Sequence, residues 1–427
     1  LKKRLQMPSQ SITLYNLLAK KKQFKKTVNF DLKRIKEALN KLGNPERKLK
    51  NVINIIGSDG KFSVLNTLRY FIEENKQTTS AYISPSLRDI RERFWMGSEY
   101  LSYREIKRSI KLIENLKVKL TIFEVLTLVY IVNASKRNND YNLVEAGALF
   151  AKDSTNVFDF PLIQAVVNIN KQHLNFVKKK TINEIIFQKV GFLNNFTNIY
   201  IGKQSIQNQK KIKFILRKNL SRKIYSSSWK LIKKGKIFLY KDKNNFIPLN
   251  TKNVHSKGLF DNIAMAIKIA LDIGINKKTI SKALPKLKFQ GRIQYISSGK
   301  LIKKLYSREK LLIDGCHSKV SGKNLSDYLK TIQHPKYGIW SMMKNKDPSS
   351  FIRQFKGIFK KIYTIPINGE KNSMPPRILT KIAKQNNIEA LSFKNLDTVL
   401  KKISSKEKKI ICFFGSLYQC GNVLNKN

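Results

Sequence analysis

At 427 residues the chain is longer than one core comfortably fills, so two domains are expected, each able to bury substantial apolar surface. Its 84 Lys and Arg against 28 Asp and Glu give a formal charge of +56, but the cations are spread through almost every segment beside abundant Asn and Ile, with only short clusters at 20–22 and 178–180. That pattern reads as compositional bias with an affinity for small anions, and it argues against a dedicated nucleic-acid module.

The elements can be taken in chain order. Leu32, Ile35, Leu39 and Leu42 share one helical face, and Gly43-Asn44-Pro45 stops that helix. An apolar run at 51–56 feeds a glycine turn and then a helical pattern over 64–74. There follow a strand at 81–84, a helix over 102–116, an apolar helix from Thr121, strands at 141–144 and 165–169, and a weaker strand at 198–202. A polar helix over 205–217, a hairpin over 236–248 and a helix over 259–271 complete the first α/β domain. The alternation restarts near 310: a strand to Ile313, helix 322–331, strand 337–341, helix 349–361 and strand 362–365. Helices over 376–385 and 396–403, a strand at 409–414 and a closing helix follow. Pro285 and Gly291 bracket a basic stretch, placing the junction so that residues 1–286 and 287–427 form the two domains.

Cys316, Cys412 and Cys420 have no metal-type spacing and leave an odd count, which suits a reducing compartment and incidental thiols. The longest apolar stretch, 120–132, is interrupted by Glu124 and is too short to cross a bilayer, and the N-terminus lacks the apolar core of a signal peptide. A soluble, cytoplasmic protein is expected.

The chemistry concentrates in Gly57-Ser58-Asp59-Gly60-Lys61-Phe62-Ser63. Two glycines let backbone N–H groups curl around an anion, Lys61 adds a positive charge, and the Ser63 hydroxyl can ligate Mg²⁺; the bland alternative is an ordinary glycine-lysine turn. Glu145 ends a strand, where its carboxylate could reach a metal held by Ser63, although strand-end glutamates are often merely solvated. His173 follows another strand and by itself reads as a loop residue. Lys189 precedes a glycine turn and is indistinguishable from its fellow cations.

The order of the segments carries more than any one of them. GSDGKFS, YISPSLRDIRERF, TIFEVLT, EAGALFAKDSTN, NINKQH, QKVGF, GRIQ, DGCHS, KNKD and GSLYQCG follow one another as in a known family. From Tyr15 to Gly421 the chain resembles the bifunctional dihydrofolate synthase/folylpolyglutamate synthases, relatives of the Mur-type peptide ligases. The resemblance implies an N-terminal P-loop, Mur ligase-like domain and a smaller Rossmann-like C-terminal α/β domain. It implies ATP-driven formation of an acyl phosphate on a pteroate or folate carboxylate, then attack by the amine of L-glutamate. Gly57, Ser58, Asp59, Gly60 and Lys61 would cradle ATP, with Asn262 beside the nucleotide; Ser63 and Glu145 would hold the first Mg²⁺. His173 and Lys189, the latter carbamylated, would serve a second metal site. Arg292, Asp314 and His317 would face the nucleotide and the incoming glutamate. Ser84, Pro85, Glu92, Arg93, Thr121, Phe123 and Glu124 would lie on the pterin side, and Ser416 near the substrates. The family implies a monomer acting on small molecules, with neither membrane nor nucleic acid as partner.

The chain departs from that family's pattern at several points. Gly147-Ala148-Leu149-Phe150-Ala151 stands where Gly-Leu-Gly-Gly-Arg is usual, Phe62 replaces a glycine, Asp59 brings a negative charge toward the phosphates, and Gln172 replaces an Asp. Ser86 replaces a histidine, and Leu259-Phe260 stands for His-Gln. The residues leave open a divergent active ligase, a member that binds folate or nucleotide without ligating and, from its charge alone, a nucleic-acid binder. They do not choose among dihydropteroate, reduced folates or both.

Overall fold

A computed structural model describes residues 30–235 and 237–427 together with Leu14, Leu18 and Phe24. The lysine cluster at 20–22, Tyr15 and the first residue of the expected hairpin, Lys236, lie outside the described residues. The described chain forms two compact units, one running to residue 252 and resuming over 258–287, the other made of 253–257 and 288–427.

The first unit is built on a seven-stranded sheet in the order β3-β2-β4-β1-β5-β6-β7. Its strands are β1 Val52–Ile56, β2 Thr79–Tyr82, β3 Phe94–Met96, β4 Tyr141–Glu145, β5 Ile163–Val166, β6 Asn198–Ile201 and β7 Arg222–Tyr225. All neighbours run parallel except β2 and β3. β1, β2, β4 and β5 are buried along their whole length, which is why they read as near-continuous apolar runs: helices cover both faces of such a sheet. β1 lies between β4 and β5, with Ile55 opposite Glu145 and Ile56 opposite Val166. The strand order reverses here, so the turn leaving β1 is flanked by the carboxyl ends of two strands distant in sequence. A separate antiparallel sheet, β8 Lys230–Lys234, β9 Ile237–Lys241 and β10 Phe246–Pro248, extends the expected hairpin by one strand.

The second unit carries a six-stranded sheet in the order β11-β12-β16-β13-β14-β15, parallel but for β11 Gln294–Ile296. The others are β12 Glu309–Asp314, β13 Lys336–Trp340, β14 Lys361–Thr364, β15 Ala390–Ser392 and β16 Lys409–Phe414. Its core is aromatic: Phe414 packs on Trp340, Phe351, Phe355 and Phe359. A Cβ at Gly338 would stand 2.9 Å from the Phe414 ring, so glycine there admits the ring onto the sheet.

Most expected elements stand within two residues of their predicted bounds, and the helices Pro376–Gln385 and Leu396–Ile403 match them. The helix expected over 349–361 is shorter, Pro348–Ile352 followed by a 3₁₀ turn to Phe355, because the left-handed Gly357 (φ 72°) turns the chain toward β14. The strand expected at 165–169 ends at Val166, since residues 167–170 leave the sheet to fold over the turn after β1. The helices Ile182–Val190 and Lys277–Ala283, and β3, β7, β11 and β15, were not legible. No described helix is long and apolar enough to cross a membrane.

Candidate nucleotide site

At the carboxyl end of β1, Gly57 adopts φ 144°; a side chain there would collide with Val167 Cγ2 and stand 3.0 Å from the Val167 carbonyl oxygen. Gly60 adopts φ 101° and directly precedes the helix Lys61–Glu74. A Cβ on Gly60 would meet Asn262 Nδ2 at 2.5 Å, so the asparagine expected beside the nucleotide packs against the loop from the helix Lys257–Asp272. Both glycines are therefore required by conformation and by space. The first helical turn carries no acidic residue, and the helix dipole favours an anion at that end.

Three cation and carboxylate groups converge on this turn. Lys61 Nζ lies 3.4 Å from the carbonyl oxygens of Gly57 and Ser58 and 3.7 Å from Glu145 Oε1. Glu145 is buried at the end of β4, and its second oxygen accepts from the Ser84 N–H at 3.2 Å. Lys189, 1% exposed, reaches in from the helix Ile182–Val190 and donates to the Gly57 carbonyl at 2.8 Å and the Ala148 carbonyl at 2.6 Å. Burial, reinforced by the charge of Lys61, pushes its amine down to about 7, against the pull of Asp153 and Asp59. Ser63 is buried in the first turn of the helix. The Ser63 hydroxyl and the Glu145 carboxylate are hard oxygen donors of the kind Mg²⁺ takes.

The segment 147–151, where the chain departs from the family's glycines and arginine, is firmly seated. Its Ala148 carbonyl holds Lys189, and the N–H groups of Phe150 and Ala151 donate to the Gln188 carbonyl at 3.2 and 2.8 Å. A Cβ on Gly147 would meet Asp153 Oδ2 at 2.5 Å. Asp153, not singled out in the sequence, is buried there and raised by desolvation against hydrogen bonds from Thr155 and Gly147.

The loop after β5 lies along the glycine turn. Ser58 and Asp59 N–H both donate to the Asn168 carbonyl, at 2.8 and 3.3 Å, and the Ser58 hydroxyl exchanges hydrogen bonds with the Asn170 backbone. Gln172 Nε2 donates to both Asp59 oxygens at 3.1 Å, and Asn170 Nδ2 donates to the same carboxylate. His173, next in sequence, is left-handed (φ 60°) and stacks on Phe176 at 6.0 Å. Lys189 in its free form donates hydrogen bonds and offers a metal no ligand, and no group of three or more His, Cys, Asp or Glu suited to a metal occurs among the described residues.

The residues expected on the pterin side fall into two groups. Ser84-Pro85, joined by a cis peptide, and the turn to Arg93 are organised by Glu92, which accepts from the Leu87 and Arg88 N–H groups and from Arg88 Nε. The Arg93 carbonyl accepts from Ile83 N–H. Thr121 and Glu124 instead form a capping box for the helix Ile122–Ala134, and Glu124 pairs with Arg34 at 2.9 Å. Phe123 packs on Tyr82 and against Gly147.

In the second unit, Asp314 ends β12 and accepts from Ile293 and Cys316 N–H at 2.8 and 2.7 Å; burial raises its carboxyl despite those bonds and the Arg292 charge. Arg292 Nη1 lies 3.4 Å from the Gln290 and Gly291 carbonyls. His317 Nδ1 is 2.9 Å from the Gly315 carbonyl, and its N–H donates to Ser321 Oγ. Ser416, after the adjacent strand β16, caps the helix Leu417–Lys426. These residues gather at the carboxyl ends of neighbouring strands. The three cysteines are unpaired and buried, their thiols pushed up by desolvation, so they are packing groups.

No family model matches the chain. The dihydrofolate synthase/folylpolyglutamate synthase of Buchnera aphidicola subsp. Schizaphis graminum is 24% identical over 378 residues, covering 85% of this chain and 84% of that protein. The structure of Mycobacterium tuberculosis folylpolyglutamate synthase complexed with ADP and AMPPCP superposes with a TM-score of 0.85 at 17% identity, covering 99% of each chain. That of the bifunctional folylpolyglutamate synthase/dihydrofolate synthase of Yersinia pestis complexed with AMPPNP and Mn gives 0.84 at 18% identity, again over 99% of each. The α/β architecture seen here is theirs.

Proposed function

We infer that the chain, a divergent member of the dihydrofolate synthase/folylpolyglutamate synthase family, is an ATP-dependent ligase that joins L-glutamate to dihydropteroate or to a folate. The observation that carries this reading is the convergence of Lys61, Glu145 and Lys189 on one glycine turn from three separate strand ends and helices. Such an enzyme needs little covalent chemistry of its own. The acceptor carboxylate takes the terminal phosphoryl group of ATP, ADP leaves, the glutamate amine attacks the acyl carbon, and phosphate departs as the amide forms. Positioning and charge neutralisation then dominate catalysis.

Gly60 and the start of the following helix bind the phosphates through N–H groups, while those of Ser58 and Asp59 hold the Asn168 carbonyl, and Lys61 leaves its carbonyl contacts for the transferred group. Ser63 and Glu145 would hold Mg²⁺, which would supply neutralisation of phosphate charge. A second cation would require Lys189 as its carbamate beside His173; an amine with a value near 7 is substantially neutral at physiological pH and so able to add CO₂. The first domain, 1–286, would carry this phosphate chemistry, and Arg292, Asp314, His317 and Ser416 are the ligand-contact candidates of 287–427. The partners are small molecules, the chain acts as a monomer, and the compartment is the cytoplasm.

Purified protein should release phosphate from ATP only when a pteroate or folate acceptor and glutamate are both supplied. Phosphate release indifferent to glutamate, or none with any acceptor, would sink the assignment. Comparing dihydropteroate with tetrahydrofolate as acceptor decides between the two synthase activities.

A further inference from the structure

We propose that Asp59 is a positioning residue that clamps the loop 168–173 onto the phosphate-binding turn, and that Asp59 and Gln172 work as one unit in which the negative charge sits on the turn and its partner on the loop. This rests on reading the turn as a nucleotide site.

Each residue alone looks damaging. A carboxylate inside an anion-binding turn opposes phosphate, and a glutamine before His173 takes the place of an acid. The geometry joins them: both Asp59 oxygens accept from Gln172 Nε2 at 3.1 Å, and Asn170 Nδ2 donates to the same group. The backbones are paired as well, through Ser58 and Asp59 N–H on the Asn168 carbonyl and the isolated bridge Asp59–Asn168. Two side-chain amides pointing N–H groups at a carboxylate disperse its charge away from the phosphate side, as hydrogen bonds to an ionised acceptor do. The turn and the loop that carries His173 therefore move together.

The inference predicts a specific coupling between positions 59 and 172. Gln172→Glu, isosteric, sets a second carboxylate against Asp59 and should weaken Mg·ADP binding, measured by calorimetry, about tenfold or more; in an Asp59→Asn background the same change restores an amide–carboxylate pair and should cost less than about threefold. Thermal midpoints of the four proteins should show the same asymmetry, with Q172E alone falling by about 3 °C or more. Equal cost of Q172E in both backgrounds overturns the clamp. Coupling seen in the midpoints with unchanged ADP affinity shows a merely structural pair and also overturns the positioning role. If the unaltered protein fails to bind Mg·ADP, the nucleotide reading falls, and the midpoint cycle still decides whether the pair exists.

Discussion

Lys189 illustrates how far one side chain's meaning depends on its surroundings. In the sequence it was one cation among many; in the fold it is a sealed amine spanning the Gly57 and Ala148 carbonyls. Its proton is lost near pH 7 in the folded protein and kept to about its ordinary 10.5 when unfolded. Between those values the unfolded chain binds more protons, so stability rises with pH, by up to about 1.4 kcal/mol per unit from this group. Urea unfolding in CO₂-depleted buffer from pH 7 to 9 should show midpoints climbing, and Lys189→Met should flatten the climb; an unchanged slope would place the ammonium elsewhere. Asp59 and Gln172, which looked like defects, acquire meaning the same way, because a hydrogen bond between residues 113 apart leaves no local trace. Thr121 and Glu124 have a local role as well: their S/T-x-x-E spacing is a capping-box signature, and the structure uses them so.

Among elements, the strand–turn–helix around Gly57 was legible because an apolar run, two glycines and a helical period fall in direct succession. The helix Ile182–Val190 was not, since nine residues with Phe187 exposed give only a faint amphipathic pattern, and it is this helix that supplies Lys189. The short edge strands β3 and β15 were lost for the same reason, three residues offering too few alternations to count. A sharp element-level test lies in Gly60. Gly60→Ala combines a left-handed backbone with a clash against Asn262, and should cost about 1–3 kcal/mol of stability along with most nucleotide affinity. Adding Asn262→Ala should return part of the stability by relieving the clash while leaving the backbone strain; no relief would mean the asparagine yields freely.

For the whole molecule, a charge of +56 suits the anions of the proposed reaction: ATP, glutamate and any polyglutamyl tail would approach a surface that attracts them. Capture should weaken steeply with ionic strength, and KM values for ATP and glutamate flat from about 20 to 300 mM salt would contradict this, since the screening length shrinks severalfold over that range. The two-unit architecture was readable because α/β alternation stops and restarts around the 284–291 stretch, whereas the sheet order was not, because parallel pairing joins strands through long crossovers rather than adjacent turns.

That sheet order has a corollary for fragments of the gene product. β1 is completed on one side by a strand beginning at Tyr141 and on the other by one beginning at Ile163, and the turn's carbonyl at Gly57 is latched from Lys189. A polypeptide truncated ahead of Ile182 would keep every letter of GSDGKFS yet leave that carbonyl without its latch. The motif by itself is thus an unassembled part, completed only once the chain has run through Lys189.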